Sequence, residues 1–210
     1  MDGVIVDSNP THREAWELFN RRYGIETTEA MHRRMYGKHN ADIVRDYFGP
    51  DLSAAEVAAR GAAKEAVYRE LAGQRIEAML VPGLRDFLDQ YRNIPKGVGS
   101  NAEPANVEFI LERAGLRSYF QAVVDGHQVN RPKPHPEVFL RVADILGVRP
   151  TDCVVFEDSP TGVEAGVAAG MKVVGLGTTF GDLPGTSITV DNFRSGQLRR
   201  WLASQIAAGG

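Results

Sequence analysis

The chain has 210 residues, 43% of them hydrophobic, enough for one sizeable core with a small accessory domain or for a single α/β domain. A formal net charge of −3 offers no basic field to draw in nucleic acid or an anionic membrane. With no 18-residue apolar run and no secretion-signal pattern in residues 1 to 25, the expected location is the cytoplasm.

The first element is the phrase Asp2-Gly3-Val4-Ile5-Val6-Asp7-Ser8. From Pro10 to Leu80 the spacing predicts helices and no strand. Trp16, Leu18, Phe19 and Tyr23 make one apolar face, and Ala54 to Leu71 is rich in good helix formers. From Pro82 onward, short β-branched runs at 97–100, 122–125, 153–157 and 172–176 alternate with helical segments, which predicts a parallel α/β core. Pro104 marks a helix start, Gly115 a helix end, and Ser159 an N-cap ahead of Pro160. Gly162, Gly166 and Gly170 recur on one helix face, where they would admit close helix-to-sheet packing. The single cysteine, Cys153, forms no internal disulfide and is expected as a core thiol on a buried strand. His127 and His135 read as loop residues, and the five histidines show no zinc spacing. Residues 1–9 and 81–210 are thus expected to form an α/β core, with 10–80 inserted as a helical domain.

In an open parallel sheet, ligands bind beyond the carboxyl ends of the strands. Three polar stretches follow the β runs: Ser100-Asn101, Arg131-Pro132-Lys133-Pro134-His135-Pro136 and Glu157-Asp158-Ser159-Pro160. Alone, each reads as a turn, a solvated loop or a helix cap. Together with Asp2-Gly3 they supply carboxylates for a divalent cation, a hydroxyl and amides for a phosphate, and a lysine to offset phosphoryl charge.

In that order these motifs resemble the haloacid dehalogenase superfamily. The helical insertion and the phrase Glu157-Asp158-Ser159-Pro160-Thr161-Gly162 are similar to its β-phosphoglucomutase and sugar phosphatase branch. The resemblance implies a Rossmann-like parallel core with a helical cap, working as a Mg²⁺-dependent phosphatase of a small phosphorylated metabolite such as a sugar phosphate. It casts Asp2 as acid and base with its carbonyl on the metal, and Asp158 as a Mg²⁺ ligand. Glu157 would bind the metal or its waters, Ser100 and the Asn101 amide would grip the phosphoryl group, and Lys133 would offset charge. Family members carry Asp-x-Asp-Gly, and Met1 occupies the x. The nucleophilic Asp and its strand, in the middle of the sheet, are therefore expected ahead of Met1, a misassigned start being the expected reason. Residues 1–210 alone are expected to be inactive and to bind Mg²⁺ weakly.

For the cap, His12 and Trp16 lie four apart and resemble a substrate-contacting pair of the mutase. Lys38 and His39, within the segment 37–42 that resembles the specificity loop, and Arg34 are further candidates to touch a substrate phosphate or hydroxyl. Asn40 stands where the mutase shows an arginine, and Arg69 and Glu70 where it shows a lysine, which favours hydrolysis over mutase chemistry. A β-phosphoglucomutase-type mutase and a catalytically inactive metabolite- or protein-binding homologue are the alternatives, and a monomer is expected.

Overall fold

The computed structural model describes residues 1–35 and 40–208. The chain divides into two compact units, Met1–Asp7 with Ile76–Gly210, and Ser8–Arg75. Among the described residues, no helix is long and apolar enough to cross a membrane.

The helical unit contains α1 (Asn9–Arg21), α2 (Glu29–Met35), α3 (Asn40–Phe48) and most of α4 (Ala54–Met79). Pro10 sits in the first turn of α1, where its missing N–H costs no hydrogen bond. A reciprocal cap starts α4: the Ser53 hydroxyl accepts the Glu56 amide at 3.3 Å while the Glu56 carboxylate accepts the Ser53 amide at 2.9 Å. Trp16, Phe19, Met35, Ile43, Val44, Tyr47 and Val57 form the core, with Tyr47 edge-on to Trp16 at 5.2 Å. Leu18 is only half-buried, and Tyr23 lies past the helix end and is 50% exposed, so the apolar face narrows to Trp16 and Phe19. The α4 dihedrals depart from helical values at Arg75 (φ −135°, ψ 18°), where the two units meet along the chain.

The larger unit holds β1 (Gly97–Gly99), β2 (Ala122–Val124), β3 (Val154–Glu157), β4 (Lys172–Leu176) and β5 (Ile188–Val190). Between and around them run α5 (Leu84–Gln90), α6 (Pro104–Arg113), α7 (Glu137–Leu146), α8 (Pro160–Ala168) and α9 (Gly196–Ala208). The pairings among these five strands are parallel; a helix intervenes between β1 and β2 and between β3 and β4, whereas residues 177–187 join β4 to β5 without one. The strands form two sheets, β1-β2 and β3-β4-β5. Among the described residues, β1 therefore pairs only with β2, and β3 only with β4.

A core that includes Val124, Val138, Phe139, Val155, Val163, Val173 and Leu183 lies between strands and helices. Gly166 is what lets α8 settle on the sheet, since a Cβ there would come within 2.7 Å of Val173. Gly170 does not share that task. It follows the end of α8 with φ +75° and open space around it, so it stops the helix in a left-handed turn. Cys153 also departs from expectation: β3 begins at Val154, and Cys153 is half-buried just before it, its thiol bonded to the Arg149 carbonyl at 3.4 Å. Burial and the neighbouring Asp152 carboxylate push this thiol above its usual range, which makes it a poor nucleophile.

Candidate active site

The carboxyl ends of β1 and β3 are joined by one lysine. Lys133 Nζ donates to the Gly99 carbonyl at 3.1 Å and to Glu157 Oε1 at 2.5 Å, and its backbone N–H donates to Asn101 Oδ1 at 3.2 Å. The side chains of Lys133 and Glu157 are 8% and 5% exposed, so this is a buried ion pair. Glu157 Oε2 accepts the Ser159 hydroxyl at 3.0 Å and the Asp158 and Ser159 amides at 3.2 and 3.4 Å. Burial acts to raise the Glu157 carboxyl, but the Lys133 ammonium beside it more than offsets this, and the net shift is downward. Glu157 fits in this position because Gly162 has no side chain: a Cβ there would lie 2.0 Å from the carboxylate. Ser159 caps α8 by accepting the Gly162 amide at 3.1 Å.

Ser100 follows β1 and is buried, its amide bonded to the Val124 carbonyl at 3.0 Å and its Oγ accepting the Ala102 amide at 3.1 Å. The hydroxyl proton can still be given to an incoming oxygen. Gly126, after β2, approaches so closely that a Cβ would meet the Asn101 carbonyl oxygen at 2.7 Å.

Asp158 lies against the amino-terminal motif. Its Oδ2 occupies space that a side chain on Gly3 would need, 1.8 Å from the position of a Cβ. Gly3 also has φ +64°, a conformation disfavoured for any other residue. The Thr179 hydroxyl donates to Asp158 Oδ2, and the Thr178 hydroxyl donates to the Gly3 carbonyl at 2.6 Å. Burial, then the Glu157 charge, push the Asp158 carboxyl up to about 6. Met1 is buried, and its carbonyl accepts the Ile5 amide at 2.7 Å in the turn that presents Asp2. Asp2, Ser100, Asn101, Lys133, Glu157 and Asp158 are thus brought together on this unit.

Among the described residues, no group of three His, Cys, Asp or Glu side chains stands ready to hold a metal ion. Both Glu157 oxygens are engaged by protein donors. Asp158 differs: the Thr179 hydroxyl engages Oδ2, which leaves Oδ1 able to meet a hard cation.

In the helical unit, His12 stacks on Tyr68 with ring centroids 3.8 Å apart, and its Nδ1 is 2.8 Å from Lys64 Nζ. Lys64 is buried and 2.8 Å from Glu65 Oε1, which also accepts the Asn40 side-chain amide at 2.6 Å. Burial alone would raise the Glu65 carboxyl, but Lys64 and His12 bring it below its ordinary range. Trp16 is 1% exposed, its ring given to the helical core with Lys64 Nζ 5.1 Å from its centroid. Arg34 pairs with Asp46 at 3.0 Å, and Lys38 and His39 lie outside the described residues. His127 and His135 are loop residues facing Glu103 and Glu137.

Lys64 is thus the lysine that the structure sets against His12. The signal for it was Lys64 and Tyr68 four apart on α4, but in an Ala/Glu-rich helix that spacing also describes a solvated face. Lys64→Met is expected to lower stability by about 3 kcal/mol, because it strands Glu65 as a buried charge. Urea unfolding at pH 7 measures this, and Lys64→Met with Glu65→Gln together should recover most of the loss.

The family model for haloacid dehalogenase-like hydrolases matches residues 1–170. A fructose-1-phosphate phosphatase of Escherichia coli (strain K12) is 35% identical over 180 residues, covering 83% of this chain and 92% of that one. A β-phosphoglucomutase of Bacillus subtilis (strain 168) is 30% identical over 184 residues, covering 84% and 80% respectively. A crystal structure of β-phosphoglucomutase from Clostridium difficile is similar with a TM-score of 0.82 and 25% identity, covering 99% of this chain and 95% of that one.

Proposed function

Since the chain belongs to the haloacid dehalogenase-like hydrolases, we propose that it is a Mg²⁺-dependent phosphatase of a small phosphorylated metabolite, a sugar phosphate, acting through an aspartyl-phosphate. The observation that carries this reading is the buried Lys133, whose ammonium reaches the ends of both β1 and β3 beside Ser100, Asn101 and Asp158. A cation at the strand ends, with a hydroxyl and amides in the residues that follow β1, supports a phosphoryl group being held beyond the strands.

The carboxylate that attacks phosphorus belongs to the residue preceding Met1 in the Asp-x-Asp-Gly motif, and the strand carrying it runs between β1 and β3. Two features support this: β1 and β3 each pair on one side alone among the described residues, and Lys133 spans their carboxyl ends. In the first step the P–O bond to the leaving group breaks as the carboxylate–phosphorus bond forms, and Asp2 gives its proton to the departing alkoxide. In the second, Asp2 takes a proton from water as that water's oxygen displaces the carboxylate from phosphorus, releasing inorganic phosphate. Ser100 and the Asn101 amide bind phosphoryl oxygens throughout, and Lys133 offsets their charge.

The donors fit Mg²⁺, which accepts one or two carboxylates and completes its shell with waters and phosphate oxygens. Asp158 through Oδ1 and Asp2 through its backbone carbonyl would hold it, while Glu157 anchors Lys133. When bound, the ion supplies further neutralisation of phosphoryl charge. The unit Ser8–Arg75 serves as the cap, with His12, Lys64 and Glu65 as the polar set that selects the leaving group, and Lys38 and His39 as further candidates. Hydrolysis is favoured over mutase chemistry because Glu65 neutralises Lys64 and also takes the Asn40 amide. Neither residue then offers the unbalanced positive charge that retaining a bisphosphate would require.

The test is phosphate release from a panel of sugar phosphates and phosphoglycolate with Mg²⁺. Residues 1–210 are compared with a form extended by an apolar strand ending in Asp. Activity in the extended form alone is expected. Activity in residues 1–210 would overturn the assignment of the nucleophile, and activity in neither would favour a binding role.

A further inference from the structure

We propose that Thr179 is a positioning residue that fixes which oxygen of Asp158 is offered to the cation and thereby sets the preference for Mg²⁺ over Ca²⁺. The proposal rests on the reading of Asp158 as a metal ligand and goes beyond it, since it concerns the loop after β4, which no motif in the sequence singles out.

The outer torsion of an aspartate is soft and roughly two-fold, so an unrestrained carboxylate turns readily between presenting one oxygen and presenting both. Here it is held from two sides. The Thr179 hydroxyl donates to Oδ2, and the same Oδ2 lies against Gly3, in the space a Cβ would occupy. Oδ1 is the oxygen left for a cation. The clamp is itself anchored: Thr178 donates to the Gly3 carbonyl at 2.6 Å, and the Gly177 amide is bonded to the Val190 carbonyl at 2.9 Å. Loop, motif glycine and carboxylate thus form one hydrogen-bonded assembly on a single unit.

Presentation of one oxygen matters because the two cations differ in what they accept. Mg²⁺ demands near-octahedral geometry, which suits a carboxylate offering one oxygen, whereas Ca²⁺ accepts six to eight oxygens and can also take a carboxylate through both. A carboxylate whose second oxygen is tied to a hydroxyl serves the first ion and penalises the second. Removing the hydroxyl while keeping the shape frees Oδ2 and should narrow the difference. Groups that orient a metal ligand from behind typically account for about 10–100-fold in metal affinity.

The experiment uses the form extended upstream through the strand and Asp, titrated with Mg²⁺ and separately with Ca²⁺. The rise in melting temperature reports each affinity. Thr179→Val should lose about tenfold in Mg²⁺ affinity and less in Ca²⁺ affinity, while Thr179→Ser, which keeps the hydroxyl, retains the parent ratio. A purely structural role would lower the metal-free melting temperature and leave the ratio unchanged. If valine disturbs folding, the same ratio is read on Thr179→Ala. An unchanged Mg²⁺-to-Ca²⁺ ratio in the hydroxyl-free variants, with a parent that binds Mg²⁺, overturns this proposal alone. A parent whose melting temperature ignores Mg²⁺ overturns the assignment of Asp158 as ligand, and this proposal with it.

Discussion

Lys133→Met in the form extended upstream is expected to abolish detectable phosphate release and to lower stability by about 3–5 kcal/mol, the usual cost of removing one partner from a buried ion pair. The two losses have separable causes. In the proposed mechanism Lys133 offsets phosphoryl charge, so its removal should lower kcat whatever the state of Glu157. It also stabilises the buried Glu157 carboxylate, 2.5 Å away, whose other oxygen already accepts the Ser159 hydroxyl. Adding Glu157→Gln should restore most of the stability and none of the turnover, because the stranded charge is gone but the ammonium is still missing.

The pH dependence gives a further check on this first prediction. In the parent, burial raises the Glu157 carboxyl and Lys133 more than reverses it, so the folded value lies below the unfolded one. Its contribution is present above the ordinary carboxylate range and fades as pH falls through the folded value. In Lys133→Met, burial acts unopposed by the ammonium, and the sign is reversed: protonation of Glu157 now favours the fold. The stability gap between parent and variant should therefore be widest near neutral pH and close on acidification. Urea midpoints from pH 4 to pH 7 would show it, and a gap constant across that range would exclude Glu157 as the source.

Gly162→Ala sets two effects of opposite sign against each other. Alanine is better than glycine in a helix by about 1 kcal/mol, and Gly162 lies in the first turn of α8. Against this, the new methyl would stand 2.0 Å from the Glu157 carboxylate, which is held by Lys133, Ser159 and two amides and has nowhere to retreat. Forcing extra volume into a packed site costs about 1–3 kcal/mol or more, so a net destabilisation of about 2 kcal/mol is expected, with at least a hundredfold fall in kcat as Lys133 is displaced. A variant as stable as the parent would mean that Glu157 can move, and would remove the reason for glycine at this position.

Much of the architecture was legible because it depends on local chemistry. The 3.6-residue spacing of Trp16 and Phe19, the proline at the start of α6, the Ser159 cap and the β-branched runs act within a few residues of themselves, and the elements form where those signals lie. The short strand β5 escaped because Ile188-Thr189-Val190 is three residues long, and what makes it a strand is pairing with β4. The division of the strands into two sheets is equally a matter of tertiary pairing. At the candidate site, the residue types read as a phosphate- and cation-handling set, but their partners were not legible. That Glu157 spends both oxygens on protein donors follows from where Lys133 and Ser159 arrive. Thr178 and Thr179 read as an ordinary polar turn until the fold sets them beside Gly3 and Asp158, and Lys64 reads as surface until α1 brings His12 against it. Gly162 was legible as a packing glycine, though what it makes room for is a carboxylate.

The bond between Thr178 and Gly3 joins residues 175 apart in sequence. Ribosomes add about 5–20 residues each second, so the motif at the amino end waits roughly 10–35 s before the loop that secures it has even been made. Closing so long a loop is entropically among the last contacts worth forming, and helices and local pairings are complete well before it. The site is thus expected to be the final part of the molecule to mature. During refolding, a probe of secondary structure should reach its native signal ahead of any probe placed at Asp158, and the interval between the two is the time the chain spends folded in outline but without a working centre.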